Sequence, residues 1–123
     1  MIRENHTAVV ARNERWSGVA ATEPYEAGWA TEAVIFVRAL GIERAADAAE
    51  ATDGDDDASL PDVRVQMSAD GMRWIDEGSS FPLPETTERD TCARVAHFGN
   101  WLRIVAQLPP GVAMKVLVTV HLK

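Results

Sequence analysis

The stretch that decides the fold is Val63-Arg-Val-Gln-Met-Ser-Ala-Asp-Gly-Met-Arg-Trp-Ile-Asp76. Apolar residues occupy every second position from Val63 to Met67, and arginine, glutamine and serine alternate with them. This two-residue period is typical of a strand with one face buried and the other in solvent. The segment therefore predicts antiparallel β-structure.

The second half of the same stretch predicts a hairpin. Asp70 and Gly71 favour a two-residue turn, because the positive φ angles of such a turn suit glycine and aspartate better than most residues. With a loop of that length, Met67 pairs with Trp74 and both side chains lie on the inward face of the sheet. Met67, Asp70, Gly71 and Trp74 are thus predicted as structural residues, with the indole in the core.

Further strands are predicted along the chain, and the last one is the clearest. Alternate residues from Val112 to Leu122 are apolar. The continuous apolar run Ala33–Val37 favours a central strand covered on both faces and closed by Gly41. The other predicted strands are His6–Arg12, Cys92–Phe98 and Asn100–Leu108. We therefore expect residues 1–123 to form a single all-β domain, an antiparallel β-sandwich of jelly-roll type.

Three segments between these strands predict connections. Residues 13–28 and 78–90 contain the glycines and prolines that favour loops, and Phe81 and Leu83 are expected to anchor the second of them. Residues 42–52 are rich in alanine and predict a short helical or loop insertion.

Composition narrows the class of protein. The net charge is −7, and an acidic surface disfavours binding to nucleic acid. No window has the roughly 18 apolar residues of a membrane span. Cys92 is the only cysteine, so no internal disulfide can form, and it is expected to be a small core residue. The charged N-terminal residues lack the apolar centre of a signal peptide, so we expect cytoplasmic synthesis.

Catalytic and metal-binding patterns are sparse. The sequence has no nucleophile elbow, phosphate-binding loop or dinucleotide-binding glycine pattern, and no cofactor is expected. Asp53, Asp55 and Asp57 have the alternate spacing of a calcium site, but the sequence lacks the glycine and glutamate positions of a helix–loop–helix calcium motif, so a solubilising loop is the favoured interpretation. The three histidines, with Cys92 as a fourth ligand, form no metal-ligand spacing. We therefore predict a protein that is not an enzyme.

Residues 63–122 resemble a known family of β-sandwiches. The pattern Ser-x-Asp-Gly-x-x-Trp at residues 68–74 is similar to the strand–turn–strand signature of discoidin-type (coagulation-factor C-type) domains, and it also occurs in phage and surface β-sandwich modules. Asn100–Ile104 and Val116–Leu122 resemble later strands of that family. The resemblance implies a jelly-roll sandwich and a non-enzymatic role. The family's terminal cysteine pair has no counterpart in this chain.

Two functions from different classes compete. The first is a structural or assembly subunit that self-associates, in a phage particle or another protein shell, since exposed strand edges must be paired or covered. The alternative is a carbohydrate- or surface-binding module in which Trp16, Tyr25 and Trp29 present aromatic faces beside acidic residues. A hydrolase or isomerase in a cupin-like barrel is a third interpretation, which would need clustered metal ligands.

Overall fold

The computed structural model describes residues 5–45 and 62–123, and β-strands account for all of the regular structure in these two ranges. The strands are β1 (His6–Ser17), β2 (Val19–Ala21), β3 (Tyr25–Glu26), β4 (Glu32–Arg44), β5 (Asp62–Ser68), β6 (Ile75–Pro82), β7 (Thr91–Ala96), β8 (Trp101–Gln107) and β9 (Val112–Leu122). Within the same ranges, the structure contains no helix long and apolar enough to cross a membrane.

The strands form two antiparallel sheets that pack face to face. Sheet A has the order β1-β9-β4-β7, and sheet B has the order β2-β8-β5-β6, with β3 also pairing with β8. Because β2 and β3 both pair with β8, they act as one interrupted strand. Every connection then crosses between the sheets except the β5–β6 hairpin, which is the connectivity of a jelly roll. The predicted all-β antiparallel sandwich is confirmed.

Strand β9 lies at the centre of the core. It pairs with β1 on one side and β4 on the other, and its inward residues are at most 5% exposed. These residues are Val112, Met114, Val116, Val118, Val120 and Leu122. The facing layer comes from sheet B, where Val63, Val65, Leu102 and Ile104 are also buried. Since each fully buried aliphatic side chain contributes about 1.5–3 kcal/mol, this interface provides most of the driving force for folding.

Three of the four sheet edges are interrupted. Edge strand β1 has register shifts between Val9 and Ala11 and between Arg12 and Glu14. Edge strand β6 has a larger irregularity opposite Val65, and the β2–β3 edge is broken by Thr22-Glu23-Pro24. Bulges and prolines at an edge prevent the regular pairing of another strand. The sandwich therefore blunts three of its edges, and the fourth edge strand, β7, pairs with β4 in an unbroken register.

The predicted hairpin register is wrong. Met67 pairs with Ile75 and Gln66 with Asp76, so Trp74 precedes β6 and does not pair with Met67. The chain uses Ser68 and Asp70 to build a longer loop, described below, and this removes the two-residue turn. Met67 itself does pack against the core, as predicted.

Several other predictions need correction. Strand β4 is buried on one face only, because Phe36 and Arg38 are exposed on the other. Gly41 lies at a bulge inside β4, and residues 42–44 extend the strand instead of beginning a helix. The rest of the predicted insertion, residues 46–52, lies outside the described residues.

The loops were also predicted too long. Residues 13–28 contain the end of β1 together with β2 and β3, and residues 78–82 belong to β6. Phe81 and Leu83 are buried as anchors, as predicted. Cys92 is exposed rather than part of the core, because it lies on the outer face of β7 between the buried Ala93 and the half-buried Thr91.

Two isoleucines provide a matched test of this core. Ile35 is 1% exposed and Ile75 is 60% exposed. We expect Ile35→Ala to lower the free energy of unfolding by about 2–5 kcal/mol, because it removes buried methyl groups and leaves a cavity. Ile75→Ala should change it by less than about 0.5 kcal/mol. Urea unfolding followed by tryptophan fluorescence measures both, and equal effects would contradict the packing described here.

Candidate functional site

The loop between β5 and β6 is built by two short polar side chains. The Ser68 hydroxyl accepts hydrogen bonds from the backbone N–H groups of Asp70 (3.3 Å) and Gly71 (2.8 Å). Asp70 Oδ1 accepts from the N–H groups of Met72 (2.8 Å) and Arg73 (3.1 Å). Gly71 has φ +82°, which glycine adopts without strain. The loop therefore requires the Ser-x-Asp-Gly part of the sequence pattern.

This arrangement also stabilises the charged form of Asp70. Hydrogen bonds from the backbone N–H of Met72, then from that of Arg73 and from the Ser68 hydroxyl, lower the pKa of the carboxyl group. Such bonds are typical of aspartate in tight turns, where the side chain replaces a backbone acceptor. We therefore interpret Asp70 as a structural residue of the loop, although it does not adopt the positive φ angle predicted for a two-residue turn.

Trp74 lies on the outer face of sheet B and not in the core. The Arg103 guanidinium lies 4.3 Å from the centroid of the Trp74 ring. Arg103 Nε donates to Gln66 Oε1 at 2.9 Å, and Gln66 Nε2 donates to Asp76 Oδ1 at 3.1 Å. Arg64 completes the chain with an ion pair to Asp76 at 3.3 Å. Since the longer loop moves Trp74 out of the strand, the indole covers this polar network instead of the core.

The outer face of sheet A is different, because apolar side chains lie at its centre. Phe36 is 38% exposed and pairs with Thr119 of β9 on one side and with Cys92 of β7 on the other. Thr119 in turn pairs with Val9 of β1, which is 41% exposed. Side chains opposite each other in adjacent strands are about 5 Å apart, so these four residues form one continuous row. We call this row, with its neighbours Val34 and Leu117, the Phe36 surface.

Cations surround the Phe36 surface. Arg12 and Arg38 lie on either side of Leu117, and Arg94 lies beside Val34. Arg38 makes a bidentate pair with Asp90, with both N–O distances 3.0 Å. This hydrogen-bonded pair lowers the pKa of Asp90 and raises that of Arg38. Because the pair is exposed to solvent, it adds little stability, but it forms a polar rim beside Phe36.

The predicted aromatic platform is not assembled. Trp16 is 3% exposed and belongs to the core, so its prediction as an exposed ring is wrong. It pairs with Met114, whereas Trp29 packs edge-on against His6 at 4.9 Å, about 30 Å away along β1. Tyr25 is half-buried against the core, and Trp29 is 48% exposed. The predicted first strand ended at Arg12 and residues 13–28 were predicted as a loop, whereas β1 continues to Ser17 and directs the Trp16 ring into the core.

The structure offers no metal centre in the residues it describes. Across residues 5–45 and 62–123, no group of three or more histidine, cysteine, aspartate or glutamate side chains is placed to hold a metal ion. The proposed calcium ligands Asp53, Asp55 and Asp57 lie outside these ranges. His121 contacts the Thr7 hydroxyl at 3.1 Å, on the outer face of sheet A.

The comparisons with known proteins add no identification. No protein-family model, curated protein or solved structure matches this chain. The fold class is therefore defined by the strand order alone, and any function has to be inferred from this chain's own residues.

Two tryptophans provide a matched test of the corrected register. Trp16→Ala should lower the free energy of unfolding by about 3–5 kcal/mol, because a buried ring is removed. Trp74→Ala should lower it by only about 0.5–2 kcal/mol, which is the range of a cation–π contact. Chemical denaturation followed by circular dichroism measures both. A larger loss for Trp74 than for Trp16 would place the Trp74 indole in the core and contradict the loop.

Proposed function

We propose that this protein is a non-enzymatic structural subunit that self-associates through the Phe36 surface, as a component of a protein shell or particle. The observation that carries the proposal is the exposure of an aromatic ring at the centre of a four-stranded sheet. Exposed apolar patches with polar rims are typical of protein–protein contact sites. Phe36, Val9 and Leu117 provide the apolar centre, and the surrounding arginines provide the rim.

Contact through a face fits this fold better than contact through an edge. The bulges in β1 and β6 and the break between β2 and β3 prevent regular strand pairing at three of the four sheet edges, and the fourth edge strand, β7, has only six residues. The outer face of sheet B is occupied by the network from Arg64 to Trp74, in which polar groups already pair with one another. The Phe36 surface has no such cover among the described residues.

Charge complementarity favours a second copy of this chain as the occupant. Residues 5–45 and 62–123 contain 11 lysines and arginines and 12 aspartates and glutamates, of which five cations and three anions lie on or beside the outer face of sheet A. The cations are Arg12, Arg15, Arg38, Arg94 and Lys115, and the anions are Glu32, Glu43 and Asp90. The other described residues include six cations and nine anions. This face therefore attracts other surfaces of a second molecule more than it attracts itself.

The same charge distribution favours a head-to-tail arrangement. A face that carries excess positive charge repels its own copy across a two-fold axis, whereas it is attracted to a more acidic surface elsewhere on the next molecule. Contacts between two different surfaces continue from molecule to molecule and form a ring when the rotation closes, or a filament when it does not. Both outcomes suit a subunit of an extended assembly.

One substitution on each sheet tests this proposal. Phe36→Glu places an unpaired charge at the centre of the proposed contact, while Val19→Glu places the same charge on sheet B, at a residue that is 72% exposed. We expect the parent to form species larger than the 13.4 kDa monomer. Phe36→Glu should weaken association about tenfold or more, because burying an unpaired charge is costly. Val19→Glu should leave it unchanged.

Sedimentation velocity over a concentration series, with native mass spectrometry, measures these species. A parent that stays monomeric at the highest concentration reached would overturn the proposal. So would a parent whose assembly is unaffected by Phe36→Glu. Binding of DNA or RNA by a monomeric parent, lost on Phe36→Glu, would assign the surface to a nucleic acid instead and also contradict self-association.

A further inference from the structure

We propose that a cleft on the outer face of sheet B binds a neutral pyranose unit of a glycan. This site is separate from the Phe36 surface, lies on the opposite sheet and goes beyond the structural role proposed above. The cleft has a volume of about 340 Å³ and is lined by Asp62, Arg64, Asp76, Gly78, Ser79 and Ser80. This volume is within the range of small-molecule sites, about 300–1,000 Å³.

A wide bulge in β6 opens the cleft. Arg64 pairs with Ser80 and Gln66 pairs with Asp76, so the single residue Val65 faces three residues of β6. The middle one, Gly78, has φ +115°, a conformation that other residues rarely adopt. Glu77 Oε1 accepts a hydrogen bond from the Ser79 N–H at 3.0 Å and holds the bulge in shape. Bulges of this kind redirect side chains and are common beside functional sites.

The polar groups of the cleft are held in place before any ligand binds. Asp76 accepts hydrogen bonds from Gln66 (3.1 Å) and from Arg64 Nη1 (3.3 and 3.4 Å). Gln66 is itself fixed by Arg103 at 2.9 Å, and Arg103 lies against the Trp74 ring. Both hydrogen bonds from Arg64 to Asp76 come from Nη1, which leaves Nη2 and Nε outside this pair. Such preorganisation reduces the entropy that a ligand loses when it orders a site.

The chemistry of the lining favours a neutral polyhydroxylated ligand. Asp62 and Asp76 provide only acceptors, Arg64 provides only donors, and Ser79 and Ser80 provide hydroxyls that do both. A sugar hydroxyl donates and accepts at the same time, so adjacent hydroxyls of a pyranose ring can satisfy both kinds of partner. An anion such as phosphate meets two carboxylates against one guanidinium and is disfavoured. The cleft is thus distinct from the aromatic site predicted at Trp16, Tyr25 and Trp29.

Binding is tested first with the parent protein on an array of neutral, sulfated and sialylated glycans, and then by calorimetric titration with the neutral oligosaccharide that gives the strongest signal. We expect Asp76→Asn to lower the affinity about tenfold or more, because it removes a charged hydrogen-bond acceptor. Ser80→Tyr places a large ring in the cleft beside Arg64 and should abolish binding. Glu88→Gln removes a carboxylate from the connection after β6 and should leave the affinity unchanged.

Thermal melting of each variant separates loss of the site from loss of the fold. A parent that binds no neutral glycan, or binds only sulfated or sialylated ones, overturns the proposal. The proposal is also overturned if the Asp76→Asn and Ser80→Tyr variants are folded and both bind the neutral glycan as tightly as the parent does. The Phe36→Glu variant distinguishes the two proposals, because it should dissociate any assembly and still bind the same oligosaccharide.

Discussion

Burial of one face of β9 is the constraint on which the rest of the structure depends. Its six inward residues are at most 5% exposed, and this is possible only if β9 has a neighbour on each side and a second sheet in front of it. Strands β1 and β4 supply the neighbours, and β5 and β8 supply the facing layer. Since a strand directs alternate side chains to opposite faces, the same register commits Leu117 and Thr119 to the outer face.

The two outer faces that result are chemically unlike. On sheet B, Arg64, Gln66, Asp76 and Arg103 satisfy one another, and the Trp74 ring packs on the last of them. On sheet A, the row through Phe36 carries apolar atoms that no described residue covers, within a rim of cations. A network of paired polar groups suits the selection of a small polar ligand, whereas an exposed apolar centre suits contact with a protein. This difference is the basis for the proposals of assembly through sheet A and glycan binding at sheet B.

Much of the fold was predictable, because period-two alternation is a local signal. Val112–Leu122 and the predicted all-β sandwich are confirmed by the strand order. The hairpin was not predictable from its turn dipeptide, since Ser68 and Asp70 together accept four backbone hydrogen bonds and stabilise a longer loop. A β-bulge also makes it difficult to predict from the sequence which face of the sheet a side chain lies on. Each extra residue in β1 moves the side chains that follow it to the other face.

The functional surfaces were harder to predict than the fold. The apolar run Ala33–Val37 predicts that Phe36 is buried. However, Glu32 and Arg38 lie an even number of residues from Phe36 and therefore on the same face of β4, and their charges indicate that this face is exposed. The alternate polar residues of β5, which are Asp62, Arg64 and Gln66, were also visible in the sequence and indicate the outer face of that strand. The cleft could not be inferred from it, because it depends on a three-residue bulge in a different strand.

Backbone amide NMR spectra recorded over a dilution series test the central claim most directly, because they report on every strand of the folded protein at once. Association through the Phe36 surface predicts concentration-dependent shifts or line broadening at Val9, Phe36, Cys92 and Thr119, which form one row across sheet A. A second set of affected amides, on an acidic part of the surface, should accompany them if the contact is head-to-tail. Spectra that do not change with concentration, or changes confined to sheet B, would contradict the account.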